Sequence, residues 1–310
     1  MGFTAKDVKE LRERTGVGMM DCKKALEATD GDMEKAIDWL REKGLAAAAK
    51  KAGRIAAEGM AYADVIDGVG VVVEVNAETD FVAKNDKFVA FVKNVAEAVA
   101  KSAPADLEAL MNSPYPGTDK TVRDMQQEMV YVIGENITVR RFARYTEGVM
   151  VPYVHAGGKI GVMVNLEVNG ISDMDAVMAL GKDIAMQVAA MRPLYLDPAS
   201  VDSTELERER EVQMAKALEE NKAKNLPEEK ARQIAENMVK GRINKYYEEV
   251  CLLNQPFVKE NKVSVGKHVE QVAKELGGTI VVKGFTRFEK GEGIEKKEED
   301  FAAEISKLVK

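Results

Sequence analysis

Val73-Glu74-Val75-Asn76-Ala77-Glu78-Thr79-Asp80-Phe81-Val82-Ala83-Lys84-Asn85-Asp86 joins two patterns of different period. An apolar strand pattern runs from Val69 to Val75 and stops, and a helical pattern starts near Val82 and runs toward Lys101. Thr79, Asp80 and Phe81 fall on the turn between them. There a carboxylate stands beside a large ring where side chains tend to project from a fold. Such a pair suits disturbing a phosphate-and-magnesium site on another protein better than making bonds within this one. The plainer reading is structural: Thr or Asp before a helix is the usual N-cap, and Phe81 packs locally. On local pattern alone the cap is the commoner case, so the rest of the chain must decide.

Working outward, the strand belongs to a hairpin. Met60 to Ile66, Asp67-Gly68 and Val69 to Val75 form its signature, with Asp-Gly supplying the turn. A second hairpin reads from Val149 to His155, through Ala156-Gly157-Gly158, into Lys159 to Val168. Gly70-Val71-Val72-Val73-Glu74-Val75-Asn76 parallels Gly161-Val162-Met163-Val164-Asn165-Leu166. A helical stretch follows each, Val82 to Lys101 and Asp173 to Met191, and a third strand closes each, Asn136 to Tyr145 and Thr279 to Phe288. The expected fold class is α+β: two related halves, each a small antiparallel sheet covered on one face by helices.

Ahead of this core, residues 4 to 44 read as three short helices. Thr4 with Asp7 forms a capping box, Gly16 stops the first helix, Asp32 caps the third and Gly44 stops it. Arg12, Met19, Met20 and Lys23 gather near the Gly16-Val17-Gly18 turn. The methionines serve either as core filler or as an adaptable exposed contact beside two cations. Ala46 to Ala57 reads as a helical linker leading out of this module. Within the second half, Val201 to Glu249 turns heavily charged and reads as an antiparallel helical hairpin, with Leu206, Val212, Ala215 and Leu218 lining one arm. Ala231, Ile234, Met238 and Val239 line the other. After Gly291-Glu292-Gly293 a last amphipathic helix carries Phe301, Ile305 and Leu308. The expected domains are 1–55 (three helices and linker), 56–148 (first half), 149–200 with 246–290 (second half), 201–245 (hairpin) and 291–310 (terminal helix).

Composition narrows the function. The formal charge of −7 and 6% aromatics argue against a general nucleic-acid binder, which needs a basic face or stacking platforms. Cys22 and Cys251 are isolated, so no zinc or redox spacing is present. Lone thiols and the absence of an apolar leader at Met1-Gly2-Phe3-Thr4-Ala5-Lys6 fit a reducing cytoplasm. No apolar run approaches the roughly 18 residues that span a bilayer. His155 and His268 lie far apart, and no nucleotide-binding, zinc-protease or serine-hydrolase motif stands in a fitting context. No cofactor or metal is expected, and an enzyme could rest only on paired carboxylates, for which no convincing constellation exists.

Several ordered segments together resemble one family. They are Leu11-Arg12-Glu13-Arg14-Thr15-Gly16, Met20-Asp21-Cys22-Lys23-Lys24-Ala25-Leu26, Thr79-Asp80-Phe81-Val82-Ala83-Lys84 and Ile133-Gly134-Glu135-Asn136-Ile137. His155-Ala156-Gly157-Gly158-Lys159-Ile160-Gly161-Val162, Gln255-Pro256-Phe257-Val258 and Phe288-Glu289 through Lys296 with Asp300-Phe301-Ala302-Ala303-Glu304 continue the series. In these residues the chain resembles the translation elongation factor Ts family, guanine-nucleotide exchange factors for elongation factor Tu. The resemblance implies an N-terminal module like a ubiquitin-associated (UBA) domain, gripping the partner's G domain near Arg12, Met19, Met20 and Lys23. It implies that Thr79, Asp80, Phe81 and Val82 enter beside the nucleotide, with Phe81 as a wedge and Asp80 helping to dislodge Mg²⁺. It also implies contact from the surroundings of His155 to another domain and from the helix around Phe301 back to the G domain. The partner would be bound both with GDP and nucleotide-free, and the assembly stays open between one factor per partner, a weak homodimer of the chain and a two-plus-two complex. The rival reading is a UBA-type adaptor without exchange activity, using Val17, Met19 and Met20 to hold ubiquitin or a similar small protein.

Overall fold

The computed structural model describes residues 2–222 and 227–295. The expected α+β class is what forms: helices with small antiparallel sheets. The chain divides into two compact units, Met1–Tyr145 with Val154–Gly161 and Phe288–Lys310, and Thr146–Tyr153 with Val162–Arg287.

Unit 1 begins with α1 (Ala5–Thr15), α2 (Met19–Ala28) and α3 (Met33–Lys51). The capping box at Thr4 and Asp7, the left-handed stop at Gly16 and the Asp32 cap all form. Val8, Leu11, Cys22, Ala25, Leu26, Ala36 and Leu40 make the small core of this bundle. Gly44 does not stop α3, which runs unbroken to Lys51, so the first part of the Ala46 to Ala57 linker is helical as a continuation of α3 and the rest is not. Gly44 is instead buried against Tyr131. The alanines after it favour helix, and close packing outweighs the cost of one glycine. Arg41 also reaches Asp124 at 2.9 Å, so the bundle is docked on α7 (Val122–Ile133).

Then β1 (Glu58–Ile66) and β2 (Val69–Ala77) form the first hairpin, and β3 (Thr138–Tyr145) closes an antiparallel sheet of order β1-β2-β3. The expected single helix after β2 is two. α4 (Asp80–Ala83) is one turn, and α5 (Asp86–Ser102) restarts because Asn85 accepts the Lys87 N–H as a new N-cap. Phe88, Phe91, Val92, Val95 and Val99 of α5 pack with Val71, Val73 and Val75 of β2. α6 (Leu107–Met111) and the Ser113-to-Gly117 loop follow, and Tyr115 of that loop stacks on Phe91 with centroids 5.9 Å apart.

The sheet is covered on both faces, not one. Glu74 and Asn76 point away from α5 and are also buried. Over them lies the segment from Phe288 to Gly293, where the Gly291 N–H donates to Glu74 Oε1 at 2.8 Å. Gly291 has φ +69°, and a Cβ there would sit 2.0 Å from the Ala57 carbonyl oxygen, so only glycine permits the approach.

The second sheet has order β4-β5-β8, from β4 (Val149–His155), β5 (Ile160–Asn169) and β8 (Thr279–Glu289), with most of its residues in unit 2. α8 (Met174–Met191) packs on it through Gly181, where a Cβ would lie 2.4 Å from Val151 Cγ2. α9 (Ser203–Lys222) and α10 (Glu228–Val250) are the expected hairpin arms. On α9 the inward residues are Leu206, Met214 and Ala217, while Val212 and Leu218 are exposed. The expected stripe fails because charges dominate α9 and its weak periodicity admits more than one face. α10 packs through Ala235, Val239 and Ile243. Glu205 accepts hydrogen bonds from the Tyr195 and Tyr246 hydroxyls near the hairpin's base. β6 (Pro256–Phe257), β7 (Glu260–Ser264) and α11 (Val265–Glu275) complete the unit. The terminal helix expected around Phe301 lies outside the described residues.

Candidate functional site

α4 carries the Asp80–Phe81 pair, and at four residues it is too short to hold itself. Three side chains fix it. Val82 points inward, 8% exposed, into the core beneath β2. Thr79 caps the turn, its Oγ1 accepting the Val82 N–H at 3.4 Å. Glu135, from the loop after α7, takes the Thr79 hydroxyl at 2.7 Å on one oxygen and the Thr79 N–H at 3.0 Å on the other. The adjacent residues return the grip: the Asn136 N–H donates to Glu78 Oε1 at 2.6 Å, and Asn136 Nδ2 donates to the Arg54 carbonyl at 2.8 Å.

On this base Phe81 stands out, 81% exposed, whereas Phe88 and Phe91 on the next helix are fully buried. Leaving such a ring in water forgoes about 1.5–3 kcal/mol of burial. Asp80 turns to the neighbouring side of the turn, where Lys84 Nζ lies 2.7 Å from its carboxylate. That hydrogen bond and charge, with a further contribution from Lys290, hold the Asp80 carboxyl below the usual carboxylate range. Thr79 and Val82 thus face inward, and Asp80 and Phe81 face outward. The cap reading and the projecting-pair reading apply to different residues of one turn.

Of the other expected contacts, Met19 and Met20 lie exposed at the start of α2, and Arg12 and Lys23 are exposed nearby, Lys23 within 3.6 Å of Glu27. The methionines are not core filler. Val17, which the adaptor reading places on the contact surface, is buried at 4% exposure and belongs to the bundle core. This bundle approaches the α5 start: a Cβ on Gly16 would meet Lys87 Nζ at 3.4 Å. His155 is exposed at the end of β4, and its carbonyl accepts the Gly158 and Lys159 N–H groups in the tight turn. The Gly158 carbonyl accepts the Ala61 N–H at 2.8 Å, which ties this hairpin tip to β1. Phe301 lies outside the described residues.

Sequence reading missed the clasp between residues 78–79 and 135–136. It also missed Glu74, a fully buried carboxylate held by Arg140 at 2.9 Å, Arg141 at 2.5 Å, Asn76 at 3.1 Å and the Gly291 N–H. The one signal for the second was an acid inside an unbroken valine run, Val73-Glu74-Val75. Among the described residues no cluster of His, Cys, Asp or Glu is placed to hold a metal ion, and no helix is long and apolar enough to cross a membrane.

The Elongation factor TS family matches residues 78–292 of the chain, the stretch that contains the exposed turn and its clasp. The chain is 52% identical over 310 residues to elongation factor Ts of Clostridium perfringens, covering 99% of both chains. It is 51% identical over 311 residues to that of Clostridium novyi, covering 99% of this chain and 98% of the relative. It is 48% identical over 312 residues to that of Syntrophotalea carbinolica, covering the whole of both. Matches of this depth along the full length carry a role in translation elongation with them, and the chain belongs to the elongation factor Ts family.

Proposed function

We propose that the chain is a guanine-nucleotide exchange factor that binds elongation factor Tu carrying GDP and speeds GDP release, making and breaking no bonds itself. The observation that carries this reading is Phe81, a solvent-exposed ring on a turn braced from beneath by Thr79, Val82 and Glu135. A free protein keeps such a ring in water at a cost, and a partner's pocket recovers it.

Magnesium bridges the phosphates of bound GDP and offsets their charge. Phe81 wedges into the partner beside that site, and Asp80 disfavours the ion or its ligands. Asp80 arrives already paired with Lys84, so the turn brings a dipole whose ends can re-pair with partner groups. Met19, Met20, Arg12 and Lys23 supply a second contact on the partner's G domain. The hairpin around His155 supplies a third, and the segment around Phe301 a fourth. Affinity spread over separate contacts lets the factor hold the nucleotide-free partner. By linkage, nucleotide then weakens the factor by the same ratio.

Release of a fluorescent GDP analogue from elongation factor Tu tests the reading. Catalytic amounts of the chain are expected to raise the release rate in proportion to their concentration. A rate unchanged by the chain, with retention of ubiquitin in a pull-down, would favour the adaptor instead. The burial of Val17 counts against that outcome.

A further inference from the structure

We infer that Glu135 is a positioning residue for the Asp80–Phe81 turn, acting through the Thr79 hydroxyl. This rests on the exchange reading above and deepens it. Glu135 stands 56 residues from Thr79 in the chain, yet its two oxygens accept the Thr79 hydroxyl and the Thr79 N–H. A threonine hydroxyl has one proton to give. Drawn toward Glu135, that proton leaves an oxygen lone pair facing the Val82 N–H, the geometry of an N-cap. Glu135 therefore sets the direction of the cap as well as its position, and the two bonds polarise in series.

The turn needs this help. α4 has four residues, Asp80 to Ala83, and only Val82 among them is buried. Unbraced, its backbone would sample many conformations, and a partner would pay the ordering cost at docking. The reciprocal bonds from Asn136 to Glu78 and to Arg54 hold the Glu135 loop in turn. The clasp joins the strand end, the loop after α7 and the chain leaving α3, which ties the start of α4 to two other stretches of the chain. Glu135 itself is half-buried behind the turn, so its effect passes through Thr79.

The test is a double-mutant cycle on GDP release, with thermal unfolding measured for each variant. Glu135→Ala in the otherwise native chain is expected to lower the maximal release rate about three- to tenfold, with a smaller change in half-saturating factor concentration. In an Asp80→Ala, Phe81→Ala background the same substitution is expected to add nothing, because no projecting pair is left to position. Thr79→Val, an isostere without the hydroxyl, should reproduce the Glu135→Ala loss, and Thr79→Ser should restore the native rate. An equal loss in both backgrounds, or Thr79→Val at the native rate, would overturn the inference. Should Glu135→Ala fail to fold, Glu135→Gln, which keeps a single acceptor oxygen, takes its place in the cycle under the same criterion. A normal rate for the Asp80→Ala, Phe81→Ala background would instead remove the role of the projecting pair on which the inference rests, and a rate unchanged by the native chain would remove the exchange reading itself.

Discussion

Two acids six positions apart behave in opposite ways. Glu74, in the middle of β2, has no exposed surface and is met by two arginines, an asparagine and a backbone N–H. Asp80, just past the strand end, keeps 49% of its side chain exposed and has one lysine at its side. A charge taken wholly out of water must be matched on every side, and the groups that match Glu74 tie β3 and the segment after Phe288 to the first sheet. A charge left at the rim needs little matching and stays available to another molecule. The first acid holds this protein together, and the second keeps its charge at the surface.

The contrast can be broken in order of expected size. Glu74→Gln should cost about 3 kcal/mol in urea unfolding, toward the low end for a broken buried pair because both arginines retain some water. A loss under about 1 kcal/mol would mean that the network is ornamental. Arg141→Ala should cost about 1.5–3 kcal/mol, since it removes a charged hydrogen bond to Glu74 and leaves the Phe288 ring, 4.3 Å from its guanidinium, uncovered. Phe81→Ala should leave stability within about 0.5 kcal/mol of the native protein, as an exposed side chain with no core role. A larger fall would place the ring in the fold and not at an interface.

The smallest effect is expected at Lys84. Lys84→Ala should lower the unfolding midpoint only slightly at neutral pH, the pair being exposed, and raise the Asp80 carboxyl pKa toward the ordinary range, read by NMR titration. Folding lowers that pKa, so the pair's contribution is present above the range of the unfolded carboxyl. It is lost as pH falls through the folded value, confining any pH effect to below about pH 4. An unmoved titration would show that Lys84 is not what depresses it.

Features with a local cause were legible in the sequence. Asp67-Gly68 announced its hairpin because both residues sit at positive φ, 50° and 78°. Thr4 with Asp7 and Asp32 announced their caps for similarly short-range reasons. Asn85 was equally local, but the apolar residues on either side of its charged neighbours read as one continuous helix. Gly44 misled because its meaning is tertiary: Tyr131, eighty-odd positions on, decides it. Glu135 and Glu78 escaped for the same cause, since no periodicity links a carboxylate to a backbone N–H 56 or 58 residues away. The projecting turn itself was visible as a change of period. Which of its residues face out depends on the clasp and on Val82, and these belong to the folded chain.

The central claim is tested most directly by one comparison: GDP release from elongation factor Tu driven by the native chain and by Asp80→Ala with Phe81→Ala, both checked by circular dichroism and thermal unfolding. The account predicts an unfolding midpoint matching the native protein and release slowed by about tenfold or more, equivalent to about 1.4 kcal/mol or more in the barrier. A folded double variant that releases GDP at the native rate would contradict it.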